Sequence, residues 1–567
     1  MELTQEAMDF VNDPQTVDII VRSTDYFLNF ARDNPNILIA RNLSGRFYIV
    51  YVARDYIETV IEVLGTDYIS ATPYALGLLG RQELQASGII QIQEQPFLNL
   101  RGNGVLVGIV DTGIDYTLDT FRYEDGTSKI VSIYDQSAIG VPPEGFYLGT
   151  EYSREQINQA LQSENPFSIV PQQDTVGHGT FLASVAAGRE INDFIGAAPD
   201  AELIVVKLKD IRPYYRERYL IPDDAENVYV STAVMLGVEF ILDRARRLNR
   251  PVSICIGVGT NLGSHDGSSV FEDYLEEVAN SSGVCVCTAV GNESQARHHT
   301  QGVIAQTGDI NDIGIRVAES NTSLHLSVRT IASDRISLSI ISPTGEVIGR
   351  VPAKSGTEYE TRLILEQAIV NISYFFPLEG NSGQVSVVKI RNATLGVWTI
   401  RVHGDIILDG TFHSYLPMTG LGYPGIEFLS PDPNYTAVVP ATGLGTIRCG
   451  AYDSNNNTLY FTSSWGPTLQ PAIAPDLVAP GVNVAGVFPM GNGTMTGTSV
   501  AAAITAGACA LMLQWGIVEQ NDVTITTYRI KAFLIRGCER DRTLQYPNNQ
   551  WGYGRLNLLN SFTMMRE

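Results

Sequence analysis

Four near-continuous apolar runs, separated by segments of helical periodicity, constrain the fold of this chain more than any other feature. The runs are VLVGIVD (105–111), AELIVVKLK (201–209), VSICIGV (252–258) and VCVCTAV (284–290). A strand without polar alternation is buried on both faces, as in a parallel sheet covered by helices. The intervening segments 178–189, 228–248 and 271–280 are predicted to be helices. This order predicts an α/β fold built on a doubly wound parallel sheet.

Residues 1–95 have a different pattern, which predicts a small α+β unit ahead of the sheet. The segment FYIVYVA (47–53) is predicted to be a strand, and 55–64 places apolar side chains at helical spacing. The last segment, IIQIQEQ at 89–95, alternates apolar and polar side chains and is predicted to be a strand.

The pattern changes once more between residues 302 and 428. Short alternating runs such as LHLSV (324–328) and VWTIRV (397–402) are separated by turn residues, which predicts a β-sandwich or jelly roll. The α/β pattern then resumes, so this β unit is inserted into the α/β domain, where it either braces the fold or binds a partner. The predicted domains are 1–95, 96–301, 302–428 and 429–567.

Charge and hydropathy exclude several classes of partner. The chain has 38 Lys and Arg against 61 Asp and Glu, a formal net charge of −23, which argues against a nucleic-acid partner. The acidity serves solubility or, alternatively, a preference for basic substrates or partners. No apolar run reaches the roughly 18 residues of a membrane span, so none is predicted. The N-terminal residues lack the features of a signal peptide.

The six cysteines lie singly or in pairs within apolar stretches and do not form a disulfide framework. They are Cys255, Cys285, Cys287, Cys449, Cys509 and Cys538. We expect buried free thiols in a reducing compartment. No histidine falls at ligand spacing from them, so the sequence predicts neither a metal nor any other cofactor.

Three segments each carry one residue suited to catalysis. Asp111 ends the first apolar run, where open α/β sheets place their active sites. His178 lies between two glycines at the start of an apolar helix, and Ser499 opens another long apolar helix. A serine at a helix N-terminus lies beside backbone N–H groups that can stabilise an oxyanion. Taken singly, each is better explained as a cap or a structural residue than as a catalytic one.

Taken together, in the order Asp, His, Ser on an α/β scaffold, these segments resemble the subtilisin-type serine proteases. Further motifs support the resemblance. They are ICIGVG (254–259), AVGNES (289–294), SSWGP (463–467), PDLVAPG (475–481) and WGYGRLNLLNS (551–561). The resemblance implies a serine endopeptidase that cleaves protein substrates through an acyl-enzyme.

The resemblance also implies a role for each site residue. His178 would act as general base towards Ser499, Asp111 would orient the imidazole, and Asn292 would donate to the oxyanion. The substrate-binding residues implied are Cys255, Gly257, Ala289 and Gly291. Many family members bind calcium in a loop after the catalytic histidine; the corresponding stretch here, 186–201, is short, and no calcium is expected there.

The order of domains is similar to that of the Csp-type germination proteases of clostridial spores. That resemblance implies that 1–95 is a propeptide, bound to the catalytic domain and removed by self-cleavage within 91–99. It implies a spore location, a cortex-lytic enzyme precursor as substrate, and related germination proteins as possible partners. Two alternatives stay open: a pseudoprotease-like regulator of germination, and a general cytoplasmic or surface subtilase.

Overall fold

The computed structural model describes most of the chain, and its central element is a nine-stranded sheet. The described residues are 4–565 except 23–24, 33, 44–45, 66–70, 74, 79–84, 96–97, 192–193 and 379–382. Eight strands of the sheet follow one another in the spatial order Thr458–Leu459, Ile447–Asp453, Val284–Ala289, Val252–Ile256, Leu106–Asp111, Glu202–Lys207, Ile130–Asp135 and Thr150–Ser153. Leu477–Pro480 pairs with Ile447–Asp453 as the ninth.

The interior of this sheet is parallel, as the apolar runs predicted, and antiparallel pairs occur at Thr458–Leu459 and Thr150–Ser153. All six residues of Leu106–Asp111 are buried, because helices cover both faces of the sheet. The chain moves from this strand to one side of the sheet and later continues on the other side. The carboxyl end of Leu106–Asp111 therefore lies at a topological switch point, where α/β sheets bind their ligands.

Helices form at the three predicted segments, within a few residues of the predicted bounds, which confirms the α/β pattern. Among the described residues, the α-helices are Gln5–Asn12, Asp25–Arg32, Ile57–Leu64, Ile89–Gln93, Arg154–Leu161, His178–Ala187, Pro213–Tyr219, Ser231–Leu248, Val270–Ala279, Thr498–Leu513, Thr527–Gly537 and Leu558–Met564. We name His178–Ala187 the histidine helix and Thr498–Leu513 the serine helix. The serine helix is buried at every position and packs against one face of the central sheet. It continues as a π-helical turn over Gln514–Val518.

The serine helix and its continuation, Thr498–Val518, have the length and apolar composition of a membrane span. In the fold, 89% of their apolar window is buried inside the protein, which is what a core helix shows.

The N-terminal unit (residues 4–64) is a three-stranded antiparallel sheet with three helices. Its strands lie in the order Thr16–Arg22, Phe47–Ala53 and Ile37–Leu43. The unit packs on the α/β domain through the buried Arg212, whose guanidinium donates to carbonyls and side chains of the strand Thr16–Arg22 and the residues before it.

The predicted strand at 89–95 is wrong, because Ile89–Gln93 forms a helix. Ile89, Ile92 and Gln93 are its buried residues, a spacing of three and four residues that suits a helix. The Gln93 side chain donates to the carbonyls of Gly196 and Ala197 at 3.0 and 2.9 Å. These contacts attach the segment to the α/β domain, so they override the short alternation in sequence and move the predicted boundary at residue 95 towards the N-terminus.

The inserted β unit (residues 299–428) consists of two antiparallel sheets around a hydrophobic core of their own. The six-stranded sheet has the order His299–Val303, Thr411–Tyr415, Thr322–Thr330, Gln384–Ala393, Ile369–Phe375 and Glu358–Arg362. The five-stranded sheet has the order Val347–Val351, Arg335–Ile341, Gly396–Ile406, Ile310–Val317 and Ile426–Phe428. Trp398 is fully buried between them.

Two small sheets border the site described below. The strand Ala75–Leu78, which we name the cleft strand, pairs antiparallel with Tyr229–Val230 on one side and with Val258–Gly259 on the other. A hairpin of Val484–Phe488 and Gly491–Met495 packs on the histidine helix.

Candidate active site

Asp111 lies at the carboxyl end of its strand and is completely buried. Its Oδ1 accepts a hydrogen bond from the Thr112 backbone N–H at 2.8 Å and lies 2.7 Å from Nδ1 of His178. A buried carboxylate at this distance fixes the imidazole in one orientation, with the Nδ1 proton towards Asp111. Nε2 is then the atom that points away from the carboxylate.

Ser499 completes a chain of hydrogen bonds across the site. Nε2 of His178 lies 3.2 Å from Oγ of Ser499, which is the second residue of the serine helix. The three residues predicted from sequence, which are separated by 67 and 321 positions along the chain, are thus brought together in one Asp–His–Ser arrangement. The distances are those of a nucleophile, a base and a group that orients the base.

Asn292 is placed beside Ser499 by the start of the serine helix. Its Oδ1 accepts from the backbone N–H and from Oγ1 of Thr498, both at 3.2 Å. Because Oδ1 is held in this way, Nδ2 is the atom that can donate to an oxyanion at Ser499. Thr498 Oγ1 also accepts from the Gly291 N–H at 3.2 Å, which fixes the loop before Asn292.

Two glycines allow the close approach of the segments that carry the triad. A Cβ atom at Gly257 would lie 2.8 Å from Oδ2 of Asp111 and 3.2 Å from Cε1 of His178. A Cβ atom at Gly179 would lie 2.3 Å from the Gly113 carbonyl oxygen. A side chain at position 257 therefore requires Asp111 to shift, and a side chain at position 179 requires the loop after Asp111 to shift.

The four predicted substrate-binding residues occupy two different environments. Gly257 lies against the triad and directly precedes the strand Val258–Gly259 that pairs with the cleft strand. Ala289 and Gly291 lie at the end of the strand Val284–Ala289 and in the loop that leads to Asn292.

The prediction that Cys255 binds substrate is wrong, because its side chain is not at the surface. Cys255 is fully buried in the sheet, level with Ile109 and Cys287 on the two neighbouring strands. Alternation along the strand directs it to the same face as Ser253, whose Oγ donates to the Ala506 carbonyl of the serine helix. It therefore belongs to the core between the sheet and the serine helix. Burial, reinforced by the charge of Asp111, raises the pKa of the Cys255 thiol well above its usual value.

Sequence reasoning missed the residues that hold the histidine helix in place. Oδ1 of Asp174 accepts from the Gly177 N–H at 2.8 Å, and Oδ2 accepts from the N–H and Oγ1 of Thr180 at 2.9 and 2.7 Å. Thr180 Oγ1 in turn accepts from the Asp115 N–H at 2.9 Å, which joins the helix to the aspartate loop. An aspartate four residues before His178 was the available signal, since Asp is a preferred capping residue.

The charge of the site also affects the pKa of Tyr229, a buried tyrosine beside the cleft strand. Tyr229 pairs with Leu76 of the cleft strand and is 5% exposed. Burial, and then the negative charge of Asp111, raise the pKa of Tyr229 well above its usual value. The phenol therefore stays protonated and neutral throughout the working range of an imidazole base.

Comparisons with known proteins match both the sequence and the fold. The subtilase family (Peptidase S8) matches residues 102–325 and 421–554, on either side of most of the inserted β unit. The Clostridium perfringens CspB protease structure is similar with a TM-score of 0.74 and 31% identity, covering 85% of this chain and 98% of that one.

Two curated relatives match over part of their length. The serine protease AprX of Bacillus subtilis is 32% identical over 152 residues, which are 23% of this chain and 32% of AprX. The C5a peptidase of Streptococcus pyogenes is 21% identical over 450 residues, which are 75% of this chain and 36% of that protein. The chain thus spans about a third of the length of these relatives.

Proposed function

The chain belongs to the subtilase family of serine proteases, and on this premise we propose that it is an active serine endopeptidase. The observation that carries the proposal is the continuous Asp111–His178–Ser499 hydrogen-bond chain, at 2.7 and 3.2 Å. Loss of any member would break this chain, and all three are present.

The geometry supports a defined sequence of proton transfers. His178 Nε2 takes the Ser499 proton as Oγ attacks the peptide carbonyl, and returns it to the leaving amine. Asp111 holds the imidazole and stabilises its charged form. The Ser499 N–H and Asn292 Nδ2 donate to the tetrahedral oxyanion. One such donor lowers the barrier by about 3–4 kcal/mol, a magnitude established on subtilisin.

The first substrate of the enzyme is its own N-terminal segment. The cleft strand pairs with Tyr229–Val230 and Val258–Gly259 in the way that an extended substrate adds a strand to a sheet edge. The cut therefore comes after one of the residues 79–85, downstream of the cleft strand. Most of this segment lies outside the described residues. This replaces the window 91–99, because Ile89–Gln93 is a helix docked on the α/β domain.

The biological role we propose is selective activation of a spore cortex-lytic enzyme precursor during germination, with the protein located in the spore. The likeness to the CspB protease over 98% of that chain supports this role. The order of units supports it as well: a propeptide (the N-terminal unit), an α/β catalytic domain and a jelly-roll insertion (the inserted β unit).

The test compares wild type with Ser499→Ala, and with Ser282→Ala as a matched control. Ser282 is an exposed serine in the turn before the strand Val284–Ala289, at the end of the sheet opposite the triad. We expect wild type and Ser282→Ala to give two fragments with a new N-terminus within 80–86, while Ser499→Ala remains one chain. N-terminal sequencing and intact mass read the result. A Ser499→Ala chain that is cut like wild type would contradict self-cleavage.

The germination role is tested separately with a purified cortex-lytic precursor. Wild type and Ser282→Ala should cleave it, and Ser499→Ala should not. If self-cleavage occurs but the precursor stays intact, the enzyme is a protease with another substrate. The proposal of protease activity and the proposal of a germination role can therefore be refuted separately.

A further inference from the structure

Five of the six cysteines converge between the central sheet and the serine helix, although they are far apart in sequence. Cys255 lies level with Cys287 on adjacent parallel strands, and Cys449 lies level with Ala289 on the next strand. Alternation directs Cys285 to the face of Cys287. Cys509 approaches from the serine helix, with its Sγ 3.8 Å from that of Cys287.

Three of these thiols form a triangle of sulfur atoms. The Sγ atoms of Cys285, Cys287 and Cys509 all lie within 4.8 Å of one another, and all three side chains are fully buried. A metal ion about 2.3 Å from each of three sulfurs in one plane requires sulfur separations of about 4 Å. The Cys287–Cys509 separation of 3.8 Å already meets this value, and the other two, which are at most 4.8 Å, need to shorten by less than about 1 Å.

The chemistry of the donor set selects the kind of ion. The triangle consists of sulfur alone, and thiolate ligands favour soft ions such as Cu⁺ and Zn²⁺ over Mg²⁺ or Ca²⁺. Binding replaces the three thiol protons, which leave to solvent. The sequence-based expectation of no metal rested on the lack of a nearby histidine, a criterion that does not bear on an all-sulfur site.

Neighbouring charges suit an anionic metal–thiolate centre. Three thiolates with a divalent ion carry a net charge of −1. The buried Lys531 is close enough to Cys285 to interact electrostatically, and its Nζ lies 3.0 Å from Oδ2 of Asp476. Asp476 also pairs with the buried Arg448. Lys531, Arg448 and Asp476 together carry a net charge of +1, and Lys531 is the member of this group that interacts with the triangle.

We propose that Cys285, Cys287 and Cys509 bind one soft metal ion, which ties the serine helix to the central sheet. Cys287 lies five residues before Asn292, and Cys509 lies ten residues after Ser499. The ion therefore connects the strand that leads to the oxyanion donor with the helix that carries the nucleophile. The proposal stands on the sulfur geometry and does not depend on the proposed substrate.

The experiment uses the full chain in a Ser499→Ala background, so that self-cleavage does not complicate the masses. The protein is expressed with added Zn²⁺, Cu⁺ or Cd²⁺ and purified under reducing conditions without chelators. Native mass spectrometry should show one ion per chain, and the Cd²⁺ form should show a thiolate-to-metal charge-transfer band. A folded chain that carries no ion in all three preparations overturns the proposal.

Variants locate the ion. Cys287→Ser and Cys509→Ser should lose the ion, whereas Cys538→Ser, which changes a buried thiol outside the cluster, should retain it. Equal loss in Cys538→Ser would contradict the assignment. If the cluster variants fail to fold, the number of ions bound per Ser499→Ala chain still decides whether the protein binds a metal ion.

A last variant distinguishes the two candidate ions. Cys449 interacts with Cys287 but lies outside the triangle, on the strand next to that of Cys287. Loss of Zn²⁺ but not of Cu⁺ in Cys449→Ser indicates a four-sulfur zinc site, because structural zinc sites are four-coordinate. Retention of both ions indicates a three-coordinate site.

Discussion

Arg212 of the α/β domain makes a buried set of contacts with the N-terminal unit. It is 7% exposed, and its guanidinium donates five hydrogen bonds to that unit. Nε donates to Oδ1 of Asp18 at 3.0 Å, and Nη2 donates to the Val11 carbonyl at 2.8 Å. Asp18 is itself 4% exposed, and its other oxygen accepts from Thr232. The pair is therefore almost completely removed from water.

We predict that Arg212→Met strongly weakens retention of the N-terminal unit after self-cleavage. Removing one partner of a buried ion pair leaves the other charge uncompensated and costs about 3–5 kcal/mol. Since about 1.4 kcal/mol is tenfold in affinity, the dissociation constant should rise by about 10²- to 4 × 10³-fold. Methionine keeps much of the length of the side chain, so the loss reports on the guanidinium.

The matched control is Arg54→Met. Arg54 also pairs with the α/β domain, 2.6 Å from Oε2 of Glu217, but the two side chains are 35% and 62% exposed. An exposed pair contributes about 0–1 kcal/mol. Native mass spectrometry and gel filtration on dilution measure the fraction of self-cleaved enzyme that retains its N-terminal fragment. Equal release in Arg212→Met and Arg54→Met would refute the reasoning.

Three further predictions concern the site and acid stability. Asn292→Ala should lower kcat by about 10²- to 10³-fold with little change in KM, the loss known for one such donor in subtilisin, and steady-state peptide hydrolysis measures it. Gly257→Ala should reduce kcat without unfolding the chain, because its Cβ would lie 2.8 Å from Oδ2 of Asp111; unchanged activity would show that the triad accommodates the methyl group. Acid should destabilise the junction of the α/β domain and the inserted β unit, since burial lowers the pKa of His265 and His413 to about 3 and that of His299 to about 4. The unfolded state then binds more protons below about pH 6.5, so stability falls as pH falls, by about 2 kcal/mol for His265 alone at about pH 5, and unfolding followed as a function of pH should show this slope.

The fold class could be predicted from the sequence, and so could the three residues that the structure brings together at the candidate site. Asp111, His178 and Ser499 stand at the end of a fully apolar strand and at the starts of two apolar helices, and their order along the chain resembles that of the subtilisin-type serine proteases. Such features depend on near neighbours in the chain, because burial on both faces of a strand and the first turn of a helix each leave a short-range signature. Asn292 followed from its motif.

The contacts that those elements make could not be predicted in the same way, because they depend on the tertiary structure. The alternating segment Ile89–Gln93 is a helix because Gln93 bonds to carbonyls 103 and 104 residues away. The cleft strand Ala75–Leu78 has a place only because two other strands flank it. The same holds for the triangle that includes Cys287 and Cys509, which are 222 residues apart. Contacts at this range depend on how the sheet orders its strands, and side-chain periodicity within one segment carries no information about that order.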